Sequence, residues 1–190
     1  MVLNMGYTHY WAVEQGKELP AWEVFMEMAN IMLGLHSEAG PPSAIDAESV
    51  RVDENVVRFD GIPRWETFVF ERVPKQVPWR TDERIVYNFC KTNYLPYDDY
   101  VTGVLVAAKM LWKDEVKLSS DGEPMAWSGG IRKFLDEIRH ERRDGDFEEI
   151  FQLIEADLNS DTEHERRNSI SEFGWRGRFD SPPGDAPMPR

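Results

Sequence analysis

The chain has 190 residues, of which 41% are hydrophobic and 12% aromatic, and its formal net charge is −13. This length and composition suit one globular domain with a substantial core, and they exclude a disordered or fibrous polymer. The acidic excess disfavours nonspecific binding to nucleic acid, because contact with phosphates requires basic side chains.

Cysteine usage and hydropathy predict a cytoplasmic protein. Cys90 is the only cysteine, so an intrachain disulfide is excluded and a reducing compartment is the natural setting. Residues 1–6 lack the basic segment and long apolar run of a secretory signal. No apolar stretch approaches the roughly 20 residues that a membrane span requires, so we expect no membrane partner.

The first half of the chain predicts strands with one helix among them. Residues 7–13 form a strand whose period of two places alternate side chains on one face, namely Tyr7, His9, Trp11 and Val13. Pro20 suits the first turn of a helix that ends at Gly34. Residues 49–52 and 56–62 predict a hairpin, and residues 65–72 predict a further strand.

The second half begins with a strand at residues 85–92, a helix from about Asp98 and a strand at residues 116–120. This spacing predicts a βαβ unit with parallel strands. Amphipathic helices follow around residues 131–138 and from near Asp146.

The predicted fold is therefore α+β, in a single domain with a mixed β-sheet, one βαβ unit and flanking helices. Residues 1–158 form the globular domain in this prediction, and residues 159–190 form a polar C-terminal tail that contains Gly, Pro and Arg.

Polar residues gather where the two strands of the βαβ unit end. Because the carboxyl ends of parallel strands meet at one edge of a sheet, and ligands bind there, this edge is the predicted site. Lys91 and Thr92 suit an anionic group such as phosphate, and tyrosine rings suit stacking on a base. The predicted ligand-binding residues are His9, Tyr10, Lys91, Thr92, Tyr97, Asp98, Ser120 and Asp121.

Two residue pairs in this region have catalytic chemistry. Cys90 and His9 would form a nucleophile with its base, and Asp98 with Asp121 would form paired carboxylates. Each residue also has a structural explanation, with Cys90 buried in a strand, Asp98 capping a helix and Asp121 in a turn with Gly122. No complete catalytic constellation is present, so the catalytic residues and any cofactor stay unassigned. The histidines are too scattered to predict a metal site.

Several short motifs occur in an order that we associate with one family. They are Gly6-Tyr7-Thr8-His9-Tyr10-Trp11, Phe89-Cys90-Lys91-Thr92, Pro96-Tyr97-Asp98 and Ser120-Asp121-Gly122, with Phe59-Asp60-Gly61 and Glu66-Thr67-Phe68 between the first two. Together they resemble an uncharacterised family of short bacteriophage and fungal proteins, over roughly residues 5 to 127. The family pattern usually has Asn at the position of Asp60. The resemblance implies a phage-like origin, and hence the host cytosol, and a shared pocket, but no assigned activity.

Three functional hypotheses follow. The first is a protein that binds a nucleotide-like or phosphorylated small molecule, which in a phage would fit sequestering a host defence signal. The second is a small hydrolase or transferase that uses Cys90 with His9 or Asp98 with Asp121. The third is an acidic protein that inhibits a host protein through residues 136–165 and the tail. Small ligand-trapping proteins are often symmetric, so a homo-oligomer belongs to the first hypothesis.

Overall fold

In a computed structural model of the chain, the residues described are 7–75, 85–138 and 146–160. Chain contacts define one compact unit that ends at Leu158 and a second that runs from Asn159 to Arg190. The predicted tail lies outside the described residues, apart from its first two positions.

Within the described residues, six strands form two three-stranded sheets. The first sheet has the order β5–β1–β6, from β1 (Thr8–Glu14), β5 (Ile85–Lys91) and β6 (Lys117–Ser120). The second has the order β2–β3–β4, from β2 (Arg51–Val52), β3 (Val56–Phe59) and β4 (Phe68–Glu71).

The helices in the same residues are α1 (Trp22–Met32), α2 (Asp98–Trp112), α3 (Ser128–Glu137) and α4 (Asp146–Ser160). Short 3-10 helices lie at Ala47–Ser49, Lys113–Glu115 and Pro124–Trp127. Helices with small sheets in one compact unit make this an α+β fold, as predicted.

The strand pairing differs from the predicted mixed sheet, because every strand pair in the described ranges is antiparallel. Since β5 and β6 are both antiparallel to β1, they run parallel to each other, with β1 between them. The predicted βαβ unit is therefore split by the first strand of the chain. Its two carboxyl ends still meet at the same edge of the sheet, which is what the site prediction requires.

Aromatic rings fill the space between the two sheets and the helices. The Trp11 ring on β1 lies 5.2 Å from Phe68 and 6.0 Å from Phe70, both on β4. Phe70 in turn stacks on Trp112 at the end of α2, with ring centroids 5.7 Å apart. Because each buried aromatic side chain removes about 150–250 Å² from water, this cluster supplies much of the apolar stabilisation.

Helix α2 crosses the middle of the core. Its residues 101–109 are all buried, and it packs against both α1 and α3. The Cα of Gly130 on α3 comes so close that a Cβ there would lie 2.6 Å from the backbone nitrogen of Gly103. Helix α2 is therefore packed closely against α3 in its first half.

A buried ion pair connects α2, α4 and β6. The Lys109 ammonium lies 2.6 Å from the Asp157 carboxylate and donates to the carbonyl of Val116 at 3.1 Å. The same carboxylate accepts from the amide of Leu118 at 3.0 Å. Each buried charge thus has a charged partner and an additional backbone hydrogen bond.

We predict that Asp157→Ala lowers the free energy of unfolding by about 3–5 kcal/mol, because it leaves the Lys109 ammonium buried without its carboxylate. Urea denaturation of the full chain measures this. The matched control is Asp114→Ala, which breaks the exposed pair between Asp114 and Lys117 (3.5 Å) and should cost less than about 1 kcal/mol. Equal losses in the two variants would contradict the structural importance of the buried pair.

Candidate functional site

The centre of the first sheet brings three chain segments together at one histidine. His9 on β1 lies opposite Cys90 on β5 and opposite Ser120 on β6. The period of two places His9 on the same face as Trp11 and Val13, as the sequence predicts, and the residue is 0% exposed. The first residue of α2, Asp98, also contacts it.

His9 takes part in a buried hydrogen-bond network. Its Nε2 lies 2.8 Å from Oδ1 of Asp98, and its Nδ1 lies 3.4 Å from Oγ of Ser120. The hydroxyl of Thr92 donates to the same Asp98 oxygen. Four of the predicted site residues, His9, Thr92, Asp98 and Ser120, are thus in one network.

The partners of His9 determine where its ring proton lies. An ionised carboxylate only accepts hydrogen bonds, so opposite an ionised Asp98 the nitrogen that faces it carries the proton. In the neutral ring the other nitrogen, Nδ1, is then an acceptor directed at Ser120. The Ser120 hydroxyl donates to the carbonyl of Thr8 at 3.3 Å and accepts from the amide of Gly122 at 3.1 Å.

Two aromatic side chains pack edge-on against the His9 ring. Their centroids lie 4.6 Å (Tyr7) and 4.9 Å (Trp127) from it. Both side chains are buried, and neither the Tyr7 hydroxyl nor the Trp127 Nε1 has a hydrogen-bond partner in the part of the chain that the structure describes. We refer to Tyr7, His9, Asp98, Ser120 and Trp127 as the His9 cluster.

Unpartnered buried donors are rare, because each has lost its hydrogen bonds to water without replacement. Burial raises the pKa of the Tyr7 hydroxyl well above its usual range. Tyr7 therefore stays protonated and remains a donor. Two such donors therefore lie within one cluster.

An exposed tyrosine covers one side of the cluster. Tyr94 stacks on Tyr7 with centroids 4.0 Å apart and an interplanar angle of 9°, yet it is 66% exposed. Asn93 and Tyr94 both adopt left-handed backbone conformations, with φ of 53° and 57°. Two such residues in succession are costly for L-amino acids, and strain of this kind is concentrated at functional sites.

The remaining predicted residues lie on the opposite, outer face of the sheet or in the core. Tyr10 faces outward, and its hydroxyl donates to Asp121 at 3.2 Å. Burial and then the negative charge of Asp121 raise the pKa of Tyr10 to about 12. Lys91 is half-buried on the outer face of β5, opposite Thr8.

Tyr97 belongs to the core rather than to the cluster. It is fully buried, and its hydroxyl lies 3.0 Å from the carbonyl of Lys91 and accepts from the amide of Glu66 at 3.3 Å. This hydroxyl is engaged by the backbone and fixes the loop before β4 to the end of β5.

The structure disfavours Cys90 as a nucleophile. The thiol is buried and donates weakly to the carbonyl of Glu66 at 3.7 Å. Burial, reinforced by the negative charge of Glu66, raises its pKa far above the usual range. Because the thiolate is the attacking species, this thiol is inert at neutral pH, as the structural explanation of Cys90 predicts.

The carboxylates also differ from expectation. The prediction that Asp98 caps α2 is wrong: Tyr97 is the N-cap residue, and no side chain among the described residues caps that end. Asp98 is the first helical residue and accepts from His9 and Thr92 instead. It does not pair with Asp121, which is exposed and bonded to Tyr10.

Sequence reasoning missed Tyr94 and Trp127 as site residues. The loop at 93–95 gives no periodic signal, and Trp127 is separated from Ser120 by a turn whose path depends on the fold. Tyr7 was detectable, because it shares a strand face with His9.

The described ranges contain no group of three or more His, Cys, Asp and Glu side chains placed to hold a metal ion. They also contain no helix with the length and apolar character needed to cross a bilayer. Comparison with protein-family models, curated protein sequences and solved structures finds no match to this chain.

We predict that Gly122→Ala destabilises the protein and disturbs the cluster, since a Cβ at Gly122 would lie 1.9 Å from Cε2 of Tyr7. The expected loss is about 1–3 kcal/mol, as for other overpacked sites. Urea denaturation and the near-ultraviolet circular dichroism of the tyrosines report it.

Gly103→Ala is the matched control, because a Cβ there meets its nearest atom, the Gly130 carbonyl oxygen, at 3.4 Å. Its stability should stay within about 1 kcal/mol of the wild type, since alanine also favours the helix. A Gly122→Ala variant as stable as this control, with an unchanged spectrum, would show that Tyr7 does not pack on Gly122.

Proposed function

We propose that the chain binds a small nucleotide-like or phosphorylated molecule at the edge of the first sheet where β5 and β6 end. The proposed contacts come from the His9 cluster, from Tyr94 and from Lys91. The arrangement of Tyr94 carries the proposal.

Tyr94 has the properties of a stacking platform. One face of its ring rests on Tyr7, so the ring is already oriented, and the side chain is 66% exposed. Stacking of a base on such a ring contributes about 1–3 kcal/mol per base, and it costs little when the ring is already ordered. A strained loop that holds an aromatic side chain in solvent is better explained by a ligand than by folding stability.

Hydrogen-bond donors beside this platform suit an oxygen-rich group. The Tyr7 hydroxyl and the Trp127 Nε1 are buried without partners in the described residues, and oxygens of a phosphate or carboxylate would accept from them. Lys91, three residues before Tyr94, supplies a positive charge from the outer face of the same strand end.

The single carboxylate of the His9 cluster already has hydrogen-bond partners inside the protein. The Asp98 carboxylate is bonded to His9 and Thr92, so it does not face an incoming anion as an unpaired charge. The chain as a whole is acidic, and this favours a ligand of low net charge over a nucleic-acid strand.

A biological role follows only from the resemblance. In a phage, stoichiometric binding would sequester a host defence signal, and release of an unchanged ligand on denaturation would distinguish this role from catalysis. Inhibition of a host protein by the acidic region is not favoured by a specific observation, since the residues concerned lie largely outside the described ranges.

The test begins with a thermal-shift screen of the full chain against nucleotides, cyclic oligonucleotides and nucleotide sugars, with mass spectrometry of each ligand afterwards. For a ligand that stabilises the protein, calorimetry then compares variants. We expect Tyr94→Ala to weaken binding about 5- to 150-fold, which corresponds to the loss of one stacked base.

The control is Tyr87→Ala, which removes another exposed tyrosine (47% exposed) from the middle of β5. It should leave the dissociation constant within about twofold of the wild-type value, a difference below about 0.5 kcal/mol. The proposal fails if no compound in the screen stabilises the chain, or if the two variants bind equally well.

A further inference from the structure

We propose that Ser120 is a nucleophile, that His9 is its general base and that Asp98 positions the histidine. The chain would then transfer acyl groups from small carboxylic esters to water. This activity goes beyond the proposed binding function and does not depend on the identity of that ligand.

The geometry has the connectivity that nucleophilic hydroxyls require. Ser120 Oγ lies 3.4 Å from His9 Nδ1, and His9 Nε2 lies 2.8 Å from Asp98 Oδ1. A nucleophile within reach of a base, which a third group orients, is the general signature of an activated serine. The first distance is long, as is often the case before a substrate is bound. The hydroxyl of the buried Ser120 donates to the Thr8 carbonyl in this state and turns to His9 in order to react.

The three residues reach this arrangement from different elements. Ser120 is the last residue of β6, His9 lies in β1, and Asp98 begins α2. A network with a purely structural role would need only one hydrogen-bond partner for each ring nitrogen of the buried histidine, and any polar group would serve. Here the carboxylate fixes the ring proton on the nitrogen remote from the serine, which leaves the near nitrogen able to accept a proton.

The unpartnered donors supply a second, independent observation. The Tyr7 hydroxyl and the Trp127 Nε1 belong to side chains that flank His9, and neither is bonded within the described residues. Acyl transfer develops negative charge on the carbonyl oxygen, and preorganised donors stabilise that charge. We assign these two groups to that oxygen.

The reaction balances without any co-reactant except water. The Ser120 oxygen bonds to the carbonyl carbon while its proton passes to His9 Nδ1. The bond from that carbon to the leaving oxygen then breaks, and the leaving oxygen keeps the electron pair and takes the proton from His9. Water attacks the acyl-serine in the same way, which releases the acid and returns the proton to Ser120.

The neighbouring serine offers a matched control. Ser119 precedes Ser120 on β6 but lies half-buried on the opposite face of the sheet, opposite Tyr10. It has the same chemistry in the same strand and lacks the His9 contact. If Ser120 reacts and Ser119 does not, the contact with His9 accounts for the difference.

The experiment treats the full chain with a small alkyl fluorophosphonate, which forms an O–P bond to a reactive serine with loss of fluoride. We expect one adduct per chain by mass spectrometry, retained in Ser119→Ala and absent in Ser120→Ala. Asp98→Asn should slow labelling at least tenfold while circular dichroism shows the fold retained. The rate of p-nitrophenyl acetate hydrolysis should be retained in Ser119→Ala, reduced in Asp98→Asn and lost in Ser120→Ala.

Absence of an adduct on the wild-type chain, or equal labelling of Ser119→Ala and Ser120→Ala, would overturn the assignment. These results are separable from those of the binding test. An unreactive Ser120 together with Tyr94-dependent binding removes the nucleophile and leaves the binding function. A reactive Ser120 in a chain that binds no nucleotide supports the nucleophile and removes the binding function.

Discussion

The hydrogen bond between His9 and Asp98 is the interaction on which the rest of the site depends. It joins the central strand of the first sheet to the first residue of α2, at a point where both groups are buried. A buried imidazole and a buried carboxylate would each be costly alone, whereas together they satisfy each other. Their pairing also sets the direction of Thr92 and Ser120, which fill the remaining hydrogen-bonding positions.

The fold supports this interaction from both sides. Helix α2 is buried over most of its length, and the Lys109–Asp157 pair fixes its second half to β6 and α4. Tyr97, just before α2, fixes the loop to the end of β5 through its hydroxyl. Between β5 and α2 the loop carries two left-handed residues, Asn93 and Tyr94, and the Tyr94 ring stacks on Tyr7.

Period-two and helical patterns were enough to locate most elements. Tyr7, His9, Trp11 and Val13, which were predicted to share one strand face, are all buried. The prediction that polar residues meet at one sheet edge was also sound. It could not show that β1 lies between β5 and β6, because pairing depends on long-range packing. For the same reason the role of Asp98 was misassigned: a carboxylate at a helix start looks like a cap, and only the position of β1 supplies His9 as its partner. Tyr94 was missed because it lies in a loop, and a strained loop backbone leaves no periodic pattern in the sequence.

The measurement that tests this account most directly is the protonation of the His9 ring by long-range nitrogen–proton NMR at pH 8. Glutamine in place of His36, His140 and His164 leaves His9 as the single imidazole, since the chain has four histidines. The account predicts a neutral ring with its proton on Nε2 and a bare Nδ1. A proton on Nδ1, or on both nitrogens, would contradict it, because Ser120 would then face a donor and the network would run in the other direction.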